Sequence, residues 1–380
     1  MSPEETALVE SSFSSIQACI ASDGSITKQP SDQKEDRGYV DGCFDLCHSG
    51  HFNAIRQAAN QCHTLCIGPN ADADILQHKG PVILNSEERC EIIRAVKWGD
   101  EVWPDMPYEP SEAVLDELNA QYYIHGDDPV MVDGVNVIEA LDAAGRFKEI
   151  RRTTGVSTTN LTGKLLALLD YKEEEEKELA DKQLRDPPKQ TFLQTSNRIA
   201  NFSNRREPKL DDEVVYFQLS CDLMHPGVIE RIMEAKKQGT FLYVGLWDDQ
   251  MIKYYRGARY PLQGMQERLL MALALKYVDD VVIGAPYIIT SDLITSLNIS
   301  KVVHVQSRED QVKAEHAEID PFKVPREQGK FVELPPVKND LTVEDIAQRI
   351  ANNKASFQKK FLKKKESEDD YYLRLKKSIS

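Results

Sequence analysis

The sequence predicts two tandem α/β domains, each built on a parallel β-sheet, and three observations carry that expectation. The first is a strand–helix–strand pattern over residues 39–40, 52–59 and 64–68, a connection that requires a crossover and therefore parallel strands. The second is the return of the pattern in VVYFQLSCDLMHPGV (214–228), a helix to 237 and the strand FLYVGL (241–246). The third is internal register. Asp45, His48, Gly50 and Gly68 align with Asp222, His225, Gly227 and Gly245 at one offset (225 − 48 = 177). After a two-residue insertion, Glu88, Arg89, Tyr108 and His125 align with Glu267, Arg268, Tyr287 and His304 (268 − 89 = 179). A repeat of this length is a duplicated domain rather than a solenoid.

The elements follow in order. Residues 1–36 are rich in Ser, Asp, Glu and Gln with little apolar periodicity, the composition of a disordered leader. The first domain occupies 37–170. After its opening βαβ unit come HKGPV (78–82) and a helix expected over 86–97, with Asn85 or Ser86 as cap and Arg89, Ile92, Ile93 and Val96 at helical spacing. A short segment at 101–103, the strand 122–125 and a helix at 161–169 complete it. A charged run from Glu173 to Glu178 and the pair Pro187–Pro188 mark a linker over 171–212. Within it, TFLQTSNRIANF (191–202) has the pattern of a short helix. The second domain spans 213–350, and 351–380 form a charged tail whose apolar positions are too sparse for a membrane-seeking helix.

Composition excludes several classes. The net charge of −15 over 380 residues disfavours a nucleic-acid surface. No apolar run approaches the roughly 18 residues of a membrane span, and neither a signal peptide nor a transit peptide is legible, so a cytosolic chain is expected. Seven cysteines in such a chain do not suggest a disulfide framework. Cys43, Cys47, His48, His51, Cys62, His63 and Cys66 could supply zinc ligands. Cys62 and Cys66, however, flank a strand-like run where cysteine behaves as a small buried residue, and no metal site is assigned.

The chemistry gathers in YVDGCFDLCHSGH (39–51). It reads as a strand end, a tight turn and a helix whose first turn carries His48 and His51 on one face. Gly50 lets a ligand approach the backbone, and a helix N-terminus is a seat for phosphate. HGDD (125–128) lies at another strand's C-terminal end, where ligands bind in sheets of this type. RRTTGVSTTNL (151–161) adds arginines, hydroxyls and a glycine turn.

These residues, in order and spacing, carry a resemblance. DGCFDLCHSGH, HKGP, KWGDEV, HGDD and RTTGVSTT resemble the cytidylyltransferase family, Rossmann-like HxGH nucleotidylyltransferases that move CMP from CTP to a phosphorylated alcohol. Two tandem copies joined through FLQTS (192–196) are similar to the branch of that family that uses phosphoethanolamine. Phosphocholine and glycerol 3-phosphate are the alternative acceptors, and a non-catalytic nucleotide-sensing or zinc-binding module is the alternative of a different class. The resemblance implies that His48 and His51 stabilise charge on the CTP phosphates and that Lys79 bridges the two anionic substrates. It implies CTP contacts at Gly42, Cys43, Phe44, Gly50, His125, Gly126, Asp127, Arg152, Thr153, Gly155, Val156, Ser157 and Thr158. Asp45, Lys79, Trp98, Tyr108 and Asp127 are implied on the acceptor side, with Mg²⁺ carried by the CTP phosphates. It further implies an intrachain pseudo-dimer and leaves room for peripheral contact with the endoplasmic reticulum. Arg89 is expected to face phosphate, with a structural pairing to Glu88 as its rival.

The second copy departs where the chemistry would be. The second histidine becomes Val228, Lys79 becomes Arg256, HGDD becomes HVQS (304–307), and the place of RTTGVSTT reads ELPPVKNDLTVED (333–345). It is expected to be a degenerate partner whose His225, Gly227 and Arg256 retain at most a residual nucleotide site.

Overall fold

A computed structural model describes residues 36–127, 129–132, 135–153, 158–169, 195–309, 319–360 and 362. The leader expected over 1–36 lies almost wholly outside these residues, as does most of the tail. The chain divides into two compact units. One holds Met1–Phe44, Asn53–Arg94 and Trp98–Thr154, and the other Asp45–Phe52, Ala95–Lys97 and Gly155–Ser380.

The first copy runs β1 (Arg37–Gly42), α1 (Ser49–Ala59), β2 (Thr64–Pro69), α2 (Asp72–Lys79), α3 (Ser86–Arg94) and β3 (Glu101–Val102). It continues with α4 (Glu112–Glu117), β4 (Tyr122–Gly126), the short ribbon β5 (Met131–Val132) and β6 (Val135–Asn136), α5 (Ile138–Ala143), β7 (Phe147–Ile150) and α6 (Thr158–Leu169). Its sheet is wholly parallel in the order β3-β2-β1-β4-β7. Side chains alternate across it: Tyr39, Cys66 and Tyr123 pack with Val114, Leu115, Leu118, Ile138 and Leu141, and Val40, Ile67 and Ile124 are buried on the opposite face. The order reverses between β1 and β4, the topological switch point where sheets of this class bind ligands.

After α7 (Ser196–Phe202), the second copy repeats the plan. Its elements are β8 (Val214–Leu219), α8 (Pro226–Lys236), β9 (Phe241–Trp247), α9 (Asp249–Arg256), α10 (Met265–Leu273) and β10 (Asp280–Ala285). They are followed by α11 (Ser291–Ser296), β11 (Lys301–Val305), α12 (Lys323–Glu327), β12 (Phe331–Leu334) and α13 (Val343–Asn352). The sheet order β10-β9-β8-β11-β12 reproduces the first. One packing detail is also repeated. A side chain at Gly68 would collide with the Tyr39 hydroxyl, and one at Gly245 with the Tyr216 hydroxyl, so each glycine makes room for a tyrosine of the neighbouring strand.

One boundary differs from the sequence expectation. Helix α3 stops at Arg94 rather than running to 97, because the next residues pair elsewhere. Val96 forms an antiparallel bridge with Leu275. The Lys97 N–H donates to the Ala274 carbonyl and the Lys276 N–H to the Ala95 carbonyl, at 3.0 and 2.9 Å. Helix α6 groups with the second unit, where it packs on α13. No described helix is long and apolar enough to cross a membrane.

Candidate active site

Each first strand ends in the same turn. Phe44 has φ 49° and its counterpart Cys221 has φ 55°, left-handed values that non-glycine residues adopt only where the surroundings impose them. A buried guanidinium fixes the turn. Arg89, 0% exposed, donates to the carbonyls of Cys43 (2.7 Å), Asn70 (2.7 Å) and Leu84 (3.2 Å) and pairs with Asp72 at 2.5 Å. In the second copy, Arg268 donates to the carbonyls of Ser220 (2.7 Å), Trp247 (2.8 Å) and Gln263 (3.1 Å) and pairs with Asp249 at 2.7 Å. The expected phosphate-facing role of Arg89 is thereby corrected. Its Nε, Nη1 and Nη2 groups all donate to the chain itself, and a buried strut is what that geometry makes.

The two histidines stand at the start of α1, with His48 one residue ahead of the helix rather than inside it. Their rings stack at a centroid distance of 4.0 Å. The Gly50 N–H donates to His48 Nδ1 (3.1 Å), and the His48 N–H donates to His51 Nδ1 (3.3 Å). Both Nδ1 lone pairs are therefore committed to backbone donors, and each neutral ring carries its proton on Nε2. A stacked pair of Nε2–H donors results, suited to phosphate oxygens and unsuited to binding a cation. Thr158 Oγ1, at the first residue of α6, lies 3.5 Å from His48 Nε2. These groups all belong to the second unit, which also holds the buried Asp45.

The first unit gathers another set at the C-terminal ends of its strands. Gly42 ends β1, and Gly126 ends β4. Lys79, an exposed residue, ends α2 with its ammonium 5.1 Å from the centre of the Tyr108 ring, on which His78 stacks at 4.6 Å. Desolvation pulls the Lys79 pKa down, but Cys43, Tyr108 and Asp41 outweigh it and hold the ammonium above its ordinary value. Asp41 was not singled out in the sequence. Desolvation raises its carboxyl pKa, against the opposing pull of His125, a 2.7 Å hydrogen bond from the Tyr123 hydroxyl, a longer one from Asn70, and Lys79. Only its place in YVDG, at the end of a strand, could have marked it.

Asn53 was also missed. It donates to Thr153 Oγ1 at 2.9 Å and accepts two hydrogen bonds from Arg56, which ties α1 to the segment after β7. Arg152 is half-buried beside Thr153, Trp98 is half-buried ahead of β3, and Asp127 is exposed just past β4. Gly155, Val156 and Ser157 lie outside the described residues. Among the described residues, no three His, Cys, Asp or Glu side chains converge as a metal centre would require.

In the second copy His225 is wholly buried, and Arg256 turns inward to Ser220 (3.0 Å), Asp222 (3.4 Å) and Glu344 (3.3 Å). The segment from β12 to α13 occupies the topological place of the one from β7 to α6, as the sequence comparison expected.

A family model described as cytidylyltransferase-like matches residues 39–164 and again 220–326. The ethanolamine-phosphate cytidylyltransferase of Dictyostelium discoideum is 38% identical over 353 residues, covering 89% of this chain and 97% of that protein. The chain belongs to the ethanolamine-phosphate cytidylyltransferase family. The Mus musculus member is 34% identical over 90% of the chain and 92% of its own length. The Arabidopsis thaliana choline-phosphate cytidylyltransferase 2 is 37% identical but matches only 33% of the chain. Family membership thus rests on both copies, whereas the choline-phosphate likeness covers about one.

Proposed function

We propose that this chain transfers CMP from CTP to phosphoethanolamine, giving CDP-ethanolamine and pyrophosphate, and that its first copy is the working one. The observation that carries the reading is the stacked pair His48 and His51 with both Nδ1 atoms held by backbone N–H groups. The whole-length likeness to ethanolamine-phosphate cytidylyltransferases supports the choice of acceptor.

A phosphate oxygen of phosphoethanolamine attacks the α-phosphorus of CTP in line, the bond to the β-phosphate oxygen breaks, and pyrophosphate leaves. Such a transfer needs positioning and charge compensation more than covalent help. The Nε2–H groups of His48 and His51 donate to phosphate oxygens as charge builds on them, and they need no proton transfer to do so. Lys79, held cationic by its neighbours, offsets the repulsion between the two anionic substrates. Arg152, Thr153 and Thr158 grip phosphate, and Gly42, Cys43 and Phe44 present backbone to the nucleotide. Mg²⁺ would enter with CTP as part of the substrate and would supply charge compensation on its phosphates. The imidazole N–H donors and lone lysine of this chain fit that arrangement, since none competes for the ion.

On the acceptor side, Asp41 joins Asp45, Trp98, Tyr108 and Asp127 as a group suited to an ammonium head. Cytosolic work with peripheral contact at the endoplasmic reticulum is part of the same proposal, as is an internal pseudo-dimer. The latter is supported by Ala95–Lys97 and its repeat counterpart 274–276, which exchange matching hydrogen bonds.

The test supplies MgCTP with phosphoethanolamine, phosphocholine and glycerol 3-phosphate in separate reactions and measures pyrophosphate. The highest kcat/KM is expected with phosphoethanolamine, and Asp41→Asn should raise its KM without moving the KM for CTP. Release with phosphocholine alone would replace the acceptor; release with none would remove the enzyme reading.

A further inference from the structure

The second copy keeps the turn of the first but is filled from within. His225, immediately ahead of α8, lies 3.6 Å from a carboxylate oxygen of Glu309, and both side chains are buried. That separation is an ion-pair distance rather than a hydrogen bond. The same Glu309 oxygen accepts the Val343 N–H, the first of α13, at 2.9 Å. The carboxylate is thus set between an imidazole and a helix N-terminus, the two features that seat a phosphate. Above the other helix start, a Cβ on Gly227 would come within 2.5 Å of the Leu341 carbonyl oxygen and 2.9 Å of that of Asn339. The backbone between β12 and α13 therefore lies directly on the α8 N-terminus. Arg256, at the Lys79 position, faces Asp222 and Glu344.

The charges close in the same sense. The first copy offers donors and a lysine to an incoming polyanion, whereas in the second His225 and Arg256, at the corresponding positions, already face carboxylates of the chain. Desolvation alone would raise the Glu309 pKa, yet His225, Arg256 and Arg231 bring it down to about 2. That is how a carboxylate behaves when it serves as the anion of a built site. An uncompensated guanidinium at that depth would be strongly destabilising.

We infer that Glu309 is a built-in anion standing where a nucleotide phosphate would sit, and that the second copy is closed to nucleotide, so one chain binds CTP at a single site. This replaces the expectation of a residual nucleotide site at His225, Gly227 and Arg256. The single-site count rests on the proposed activity of the first copy; the role of Glu309 does not.

The experiment has two arms on the full chain. In the first, equilibrium titration with MgCTP and no acceptor should give one site per chain, and two sites would overturn the inference. Absence of any binding would count against the proposed activity instead, and the second arm would then decide. In the second arm, Glu309→Ala and wild type are melted in sodium chloride and in sodium formate at equal ionic strength. The variant should melt several degrees lower in chloride and regain much of that loss in formate, which fits the vacated carboxylate position. Wild type should show no formate effect. Equal response of the two proteins to formate, or no loss in the variant, would overturn the inference. If Glu309→Ala does not fold in chloride, refolding in formate is expected to recover it, and Glu309→Gln should fold with a lowered Tm that formate leaves unchanged. A wild-type Tm for Glu309→Gln would remove the role of the charge.

Discussion

Arg89 and Arg268 hold equivalent partners, residue for residue, in the two copies. Cys43, Asn70, Asp72 and Leu84 around Arg89 become Ser220, Trp247, Asp249 and Gln263 around Arg268, at the repeat offsets. Only the Asp is retained as a side chain; the other three contacts are to backbone carbonyls, which any residue can supply. The arginine is kept while the residues around it change.

Arg89→Ala is therefore expected to destabilise the protein by roughly 3–5 kcal/mol, since it vacates a fully buried site and leaves Asp72 and three carbonyls without their donor. Urea unfolding followed by circular dichroism checks this. Loss of turnover with unchanged unfolding would return Arg89 to the phosphate.

His48→Ala and His51→Ala are each expected to lower kcat by about 10²–10³-fold, the usual effect of removing one preorganised donor to developing charge. The readout is pyrophosphate release under saturating substrates, with Tm as the control for folding. Because the two rings share a stack and a hydrogen-bond chain, the double variant should lose less than the product of the single effects.

Lys79→Ala should reduce kcat/KM for both substrates, and Lys79→Met equally, because the role requires the charge and not the stem. Raising ionic strength should weaken wild type more than either variant. Initial rates at low and high potassium chloride separate the two; matching salt profiles would exclude a bridging role.

The Glu309 carboxyl has a folded value of about 2 against an ordinary 4.5. A depressed carboxylate contributes stability that is present above its unfolded value and lost as pH falls through the folded one. Wild type should therefore exceed Glu309→Gln in stability at neutral pH. The gap should narrow by roughly 3 kcal/mol as pH is lowered from about 5 to about 2. Guanidinium unfolding across that window checks the sign; a gap that widens in acid would contradict the assigned charge state.

The duplicated sheets, their parallel order and the histidine turn were legible because strand alternation, helix spacing and repeat offset are written in the sequence itself. The role of Arg89 was not, because three of its four partners are carbonyls that carry no residue signature. The early end of α3 was hidden for a related reason: Val96 continues the helical spacing but is drawn off by an antiparallel bridge to Leu275, far along the chain. Glu309 was invisible because nothing marks a loop glutamate as the partner of a histidine in another element. Asp41 was overlooked beside the more conspicuous Asp45, although its strand-end place at the switch point makes it the more exposed of the two.

The left-handed turn at Phe44 recurs at Cys221 in a copy that has lost the second histidine. Its conformational cost cannot then be a reserve held for the reaction; it belongs to the change of direction between strand and helix. Each polypeptide consequently contains its own reference. A substitution placed at equivalent positions in both copies reports architecture where the two effects agree and chemistry where they part, under identical solvent, concentration and temperature.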